Sequence, residues 1–135
     1  MVVTPLYAAV LVLWFLVLSL HVVRCRRHSR VRLGNGGNPA LERAIRAQAN
    51  FAEYVPLALL LLLVLELSRF SIYWLHVIGA ALVLARLLHG YALAFRSSFR
   101  FGRRWGAALT FAALLVEVAL CAYQAYRGHV VWFTT

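Results

Sequence analysis

Residues 43–65 read RAIRAQANFAEYVPLALLLLLVL and join a polar helical segment directly to an apolar one. Residues 57–65 are leucine, alanine and valine only, a composition typical of a membrane-spanning helix. Charges of both signs at the mouth of such a helix require protein partners or a ligand. Five side chains before it fall on one stripe of an α-helix, at steps of three, four, three and one: Arg43, Arg46, Asn50, Glu53 and Tyr54. This polar stripe is the first candidate site.

The whole chain has the composition of a membrane protein, since 64% of its 135 residues are hydrophobic. A helix needs about 20 apolar residues to cross the hydrocarbon core. The first apolar segment has no basic region before it and no small-residue cleavage site after it, so we expect a retained helix and not a signal peptide. The sequence therefore predicts an all-α integral membrane protein, a four-transmembrane-helix bundle forming one domain over 1–135, with helices at about 2–24, 39–67, 71–95 and 105–127.

The charges are unevenly distributed along the chain. All basic residues are arginine, and they concentrate at 24–32 and 96–104, in the first and third connections. By the positive-inside rule these loops face the cytoplasm and both termini face outward. Because the arginines flank apolar spans and form no soluble basic face, we expect no nucleic-acid partner.

Three charges lie at depths where hydrocarbon is expected, away from the helix ends: Glu53, Arg86 and Glu117. An unpaired charge there costs about 2.5–3.5 kcal/mol, so Arg86 needs a carboxylate that either Glu53 or Glu117 can supply. The pair has a structural interpretation, in which it holds the helices together, and a functional one, in which one charge meets a polar ligand.

Other kinds of site find little support. Only His21 and His89 share a depth that would suit haem, and no Cys/His pair has zinc-ligand spacing, so we expect neither haem nor a metal. The absence of aspartate excludes a Ser-His-Asp set. The two cysteines, Cys25 and Cys121, are interpreted as ordinary thiols. A nucleophile supplied by a cosubstrate remains open.

Three local features predict details of the helices. Asn38 and Pro39 are typical of an N-cap and first-turn proline for the second helix. Pro56 predicts a kink after the polar stripe. The small residues at 79–81 predict close packing of the third helix against a neighbour.

The arginine-rich rim suits a small, multiply anionic ligand. Arginine binds carboxylates in bidentate fashion, and the amides and phenols of Gln48, Asn50, Tyr54 and Tyr91 can orient the remaining polar groups. For four loop arginines we favour a simpler role in setting topology and touching lipid headgroups: Arg26, Arg27, Arg30 and Arg32.

The segment 42–56, ERAIRAQANFAEYVP, resembles the signature of the MAPEG superfamily, the membrane-associated proteins in eicosanoid and glutathione metabolism. Its pattern E-R-x-x-R-A-x-x-N-x-x-E-x-x-P is specific and falls on the second of four helices, as in that family. The segment 86–91, RLLHGY, is similar to the family's third-helix segment. Size, topology and charge bias agree along nearly the whole chain.

The resemblance implies a homotrimer that binds glutathione between subunits near the cytoplasmic face. Four signature residues would hold glutathione, namely Arg46, Asn50, Glu53 and Tyr54, together with Tyr91 of the third helix. Gln48 and either Arg24 or Arg26 would reach it from the neighbouring subunit, and Arg86 would pair with Glu53.

Catalytic members of the family carry an arginine soon after the third helix that stabilises the glutathione thiolate. Residues 94–102 read AFRSSFRFG, and this spacing fits no catalytic subgroup cleanly. Arg96 and Arg100 are both candidates, and Arg100 is preferred. Fewer tyrosines than usual in the family precede Tyr91, and His89 occupies one of those positions.

The resemblance thus favours a bacterial-type inner-membrane glutathione transferase or peroxidase that acts on lipophilic electrophiles or hydroperoxides from the bilayer. The main alternative is a non-catalytic lipid-binding or scaffold protein of the same fold. A small multidrug exporter is disfavoured because such proteins carry a glutamate in the first helix, where this chain has no acidic residue.

Overall fold

The chain folds into four long helices. The computed structural model describes residues 2–96 and 98–134, with side chains up to residue 128. The helices are α1 (Val3–Ser29), α2 (Pro39–Leu67), α3 (Ile72–Ala94) and α4 (Arg100–Thr134). Among the described residues there is no β-strand, so the predicted all-α bundle is confirmed.

Each helix is long and apolar enough to cross a membrane; for α4 this holds over Arg100–Gly128. The outward faces carry exposed large apolar side chains, among them Leu13, Leu60, Val77 and Leu115. Such a surface would aggregate in water but is matched to lipid. The protein is therefore a multi-pass membrane protein.

Two helices extend beyond the expected bounds. We expected α1 to end near residue 24, but it continues to Ser29 and closes at Arg30, which adopts a left-handed conformation with φ 55°. Basic residues in the last turn complement the helix dipole, which accounts for the extension. We expected α4 to begin near residue 105, but it begins at Arg100, so Arg100 and Arg103 are helical.

The start of α2 follows the sequence prediction. The Asn38 side chain accepts hydrogen bonds from the backbone N–H of Ala40 at 2.9 Å and of Leu41 at 3.2 Å, and Pro39 occupies the first turn. The helix is continuous past Pro56 to Leu67. The cap thus fixes the start of α2, the helix that carries the polar stripe.

Helices α2 and α3 each pack against all three of the other helices. The close packing predicted at 79–81 is present, because a Cβ on Gly79 would clash with the ring of Tyr7. A second close approach occurs at Gly106 of α4, where a Cβ would lie 2.7 Å from the backbone nitrogen of His89. These two glycines set the distance of α3 from α1 and from α4.

The connections α1–α2 and α3–α4 lie at the same end of the bundle, here called the arginine-rich end. At the opposite end, the Glu66 carboxylate accepts hydrogen bonds from the first backbone N–H groups of α1, those of Val2, Val3 (2.9 Å) and Thr4 (2.8 Å). This carboxylate satisfies donors that a helix start leaves unpaired.

Candidate functional site

Three residues of the polar stripe meet in one cavity at the arginine-rich end. Arg46, Asn50 and Glu53 of α2 line a space of about 160 Å³, closed on the α3 side by His89 and Leu93. The steps of four and three keep the α2 residues on one helix face. A cation, an amide and a carboxylate thus converge on a single small cavity.

Arg86 organises the wall behind this cavity. Its side chain is 1% exposed, and its Nη2 donates to Asn50 Oδ1 at 2.9 Å while Nη1 donates to Thr110 Oγ1 at 3.4 Å. The guanidinium also lies 5.4 Å from the centre of the Phe51 ring. One buried arginine of α3 therefore holds both α2 and α4.

The partners of Arg86 differ from those expected. The guanidinium forms no ion pair with Glu53 or Glu117 among the described residues. Asn50 takes the place of Glu53, because Arg86 lies level with Asn50 and Glu53 lies about 4.5 Å farther along α2. Glu53 is left facing the cavity.

Glu117 lies apart from this polar centre. It is fully buried, and neither carboxyl oxygen has a hydrogen-bond partner among the described residues. It is seven residues beyond Thr110, or about 10.5 Å along α4. Glu117 therefore cannot serve as the carboxylate for Arg86 in this packing.

Gln48 points away from the cavity. It lies two positions from both Arg46 and Asn50, which places it about 160° around the helix from each. Its Nε2 donates to Ser19 Oγ of α1 at 2.9 Å. A single chain thus brings Gln48 to the α1 side of α2 and not into the cavity.

The two arginines proposed at the end of α1 differ in their contacts. Arg26 Nη1 donates to the carbonyl oxygens of Gly34 at 2.8 Å and Arg32 at 3.5 Å, so it holds the α1–α2 connection in place. Arg24 is exposed on the surface of α1. Of the two, Arg24 is the one whose guanidinium is not engaged by the loop.

The two tyrosines lie outside the cavity lining. The ring of Tyr54 meets Phe111 of α4 edge to face at 5.4 Å. Tyr91 is exposed, stacks on Phe95 at 5.9 Å and lines a separate cavity of about 310 Å³ with Arg96, Ser98 and Phe99. Arg96 therefore accompanies Tyr91, on a different side of α3 from the residues of the polar stripe.

Arg100 lies in a third cavity, at the foot of α4. This space of about 590 Å³ is lined by His89, Arg100, Phe101, Arg103, Arg104, Trp105 and Ala107. His89 also lines the polar-stripe cavity, so one imidazole separates the two spaces. Of the two candidate arginines, Arg100 is the one next to the polar-stripe cavity.

His89 is the site residue that sequence reasoning missed as a cavity-lining group. It is 6% exposed, and its Nδ1 has no hydrogen-bond partner among the described residues. Its depth and its place in the segment 86–91 were visible in the sequence. The close packing of α4 against His89 at Gly106 was not visible in the sequence.

Comparison with known proteins identifies the family of a chain in which Arg46, Asn50 and Glu53 line one cavity. The sequence profile of the MAPEG family matches residues 4–123. The chain belongs to the MAPEG family.

Curated relatives of this MAPEG chain cover most of its length. The inner membrane protein YecN of Escherichia coli strain K12 is 39% identical over 116 residues, which is 86% of this chain and 87% of YecN. The inner membrane protein YecN of Escherichia coli strain CFT073 gives the same values. MAPEG membership agrees with the four-helix membrane fold.

Proposed function

We propose that this MAPEG protein is a multi-pass inner-membrane protein that binds glutathione and uses its thiol against lipophilic electrophiles or hydroperoxides. The observation that carries the proposal is the cavity in which Arg46, Asn50 and Glu53 meet. The MAPEG match and the inner-membrane relative support the setting.

The cavity is chemically complementary to glutathione. That tripeptide carries two carboxylates and one ammonium group, together with amide groups and a thiol. Arg46 offers a bidentate donor for a carboxylate, and Glu53 offers an acceptor for the ammonium. Asn50, held by Arg86 through its Oδ1, keeps its amide N–H groups for the ligand.

A homotrimer accounts for two of the residues that one chain leaves outside this cavity, Gln48 and Arg24. Gln48 is on the α1 side of α2, and Arg24 is exposed at the end of α1. In the proposed trimer these residues reach the glutathione of an adjacent subunit, so each site is built from two chains.

The chemistry we propose uses glutathione as the nucleophile. An arginine near the bound thiol favours the thiolate, and Arg100 is the candidate adjacent to the polar-stripe cavity. The thiolate sulfur attacks an electrophilic carbon, and the displaced electron pair leaves on the departing group. With a hydroperoxide, two glutathione molecules become the disulfide while the peroxide becomes an alcohol and water. The acceptor enters from the lipid, to which the apolar helix faces are exposed.

The binding half of the proposal is tested by calorimetric titration of the purified protein with glutathione. Arg46→Ala should weaken binding at least about tenfold, the loss expected for a charge-assisted hydrogen bond. Arg32→Ala is the matched control, since it removes the same charge at the same end, away from the cavity. Equal affinity of wild type and Arg46→Ala would contradict the proposed site.

A non-catalytic lipid-binding or scaffold role is the second candidate, favoured by the position of Arg100 in a cavity separate from Arg46. An assay of glutathione conjugation to a lipophilic electrophile distinguishes the enzyme from the non-catalytic protein. An enzyme should lose about 100-fold or more in turnover in Arg100→Ala. Glutathione binding with no turnover above the uncatalysed rate would establish the scaffold role.

A further inference from the structure

The cavity at the foot of α4 has more positive charge than the proposed glutathione chemistry uses. Arg103 and Arg104 line it with Arg100, and its lining contains no acidic residue. Its volume of about 590 Å³ exceeds that of the neighbouring polar-stripe cavity. The cavity lies where α4 begins, and the positive end of the helix dipole adds to the same field.

A largely buried imidazole lines the same cavity from the other helix. His89 of α3 is 6% exposed, and its Nδ1 is buried without a hydrogen-bond partner in the described part of the chain. Because Nδ1 lies below the surface, Nε2 is the nitrogen that could serve a ligand in the cavity. An imidazole N–H in the same lining as three arginines is suited to an anionic oxygen.

The rim of the cavity is apolar and continues along α4. Phe101 and Trp105 are exposed beside the arginines, in the arrangement of an aromatic residue at a membrane interface. Exposed apolar residues follow at steps of four and three on one helix face: Phe101, Trp105, Ala108, Ala112 and Leu115. A ligand with a charged head and a hydrocarbon chain would contact both the arginine-lined cavity and the apolar face of α4. A soluble anion would contact only the cavity.

We infer that this cavity binds the phosphate headgroup of an anionic phospholipid, with the acyl chains along the exposed face of α4. Arg103 and Arg104 contact the phosphate, and His89 donates to it from the back wall. The lipid site uses Arg103 and Arg104, which the proposed glutathione chemistry does not use, although the cavity also contains Arg100 and shares His89 with the polar-stripe cavity. The lipid would thereby fix the side chain that forms one wall of the polar-stripe cavity.

Native mass spectrometry of the detergent-purified protein tests this inference with dioleoylphosphatidylglycerol as the probe. The wild type should retain this lipid at least about fivefold better than dioleoylphosphatidylcholine, as expected for a site that selects net negative charge. Arg103→Ala/Arg104→Ala should weaken retention at least about tenfold, since each interfacial arginine adds comparably to the attraction. Both residues are exposed, so folding should persist, and circular dichroism checks this.

The matched control is Arg30→Ala/Arg32→Ala, which removes the same charge from the same end of the bundle. These arginines lie in the other connection, where we expect only unselective contact with bulk headgroups. Their removal should therefore change retention of the bound lipid by less than about twofold. His89→Phe keeps a buried ring but removes the donor, and it should weaken retention about threefold.

Several results would overturn the inference. An equal loss in Arg30→Ala/Arg32→Ala would show diffuse attraction, and equal retention of phosphatidylcholine would show unselective lipid contact. Displacement of the lipid by millimolar inorganic phosphate would indicate a soluble-anion site. Displacement of the lipid from the wild type by glutathione would make the cavity part of the glutathione site, whether or not glutathione transfer is observed.

Discussion

Arg86 and Glu117 are both fully buried ionisable side chains in membrane helices, yet their surroundings are opposite. Arg86 donates to Asn50 and Thr110, on two different helices. Glu117 has no hydrogen-bond partner among the described residues. Burial of a charged side chain is therefore not enough to identify a structural ion pair. In this bundle the cation is satisfied by neutral oxygens, and the carboxyl oxygens are left without partners in an apolar region.

The largest effect should come from replacing Arg86, the buried charge that has hydrogen-bond partners. Arg86→Leu leaves Asn50 and Thr110 without their buried donor, so we expect a loss of about 2–3 kcal/mol in unfolding free energy, together with weaker glutathione binding. Denaturant unfolding in detergent micelles measures the stability. Arg86→Leu/Asn50→Leu should recover part of it, because the unpaired amide is then also removed. If Arg86→Leu alone is as stable as the wild type, the hydrogen bonds of Arg86 to Asn50 and Thr110 contribute nothing to stability.

Gly106 tests whether the tight contact of α4 with α3 maintains the Arg86 surroundings. The added Cβ of Gly106→Ala would lie 2.7 Å from His89 and 2.8 Å from the Ala85 carbonyl oxygen, so α4 must shift. We expect a loss of about 1–3 kcal/mol in thermal unfolding experiments. Gly128→Ala is the control, since its Cβ meets nothing within 4 Å. A Gly106→Ala protein no less stable than this control would contradict the tight contact.

Replacing Glu117, whose carboxyl group has no hydrogen-bond partner among the described residues, should change stability in the opposite direction. Glu117→Leu removes a buried carboxyl without partners and keeps a side chain of similar size, so stability should rise by about 1–2 kcal/mol. The midpoint of thermal unfolding measures the gain. Destabilisation comparable with that of Arg86→Leu would show that Glu117 has a partner in the assembled protein.

Glu66 sharpens the comparison as a carboxylate that does have partners. Glu66→Gln removes the negative charge that faces the first N–H groups of α1 but keeps an acceptor oxygen, so we expect a loss of about 0.5–1 kcal/mol. Hydrogen exchange of the first turn of α1 should accelerate. Unchanged exchange at Val3 and Thr4 would show that the carboxylate does not hold this helix start.

Much of the fold followed from local sequence. The length of the apolar segments required membrane helices, and the Asn38 cap fixed the start of α2. The helix ends at Ser29 and Arg100 were misplaced, because arginines next to an apolar span were assigned to loops. Arginine is a good helix former, and only the packing at each end decides how far such a helix continues.

Part of the candidate site could likewise be predicted from local sequence, and part could not. The face shared by Arg46, Asn50 and Glu53 was predictable, since helical periodicity places them together whatever surrounds them. The partner of Arg86 and the role of His89 were not, because both depend on how α3 meets α2 and α4. The sequence by itself determined which residues share a helix face and which segments enter the membrane, through periodicity and hydrophobic length. Only the tertiary structure decided that Arg86 meets Asn50 and that Glu117 is left without a partner, because such contacts depend on the depth at which separate helices pack together.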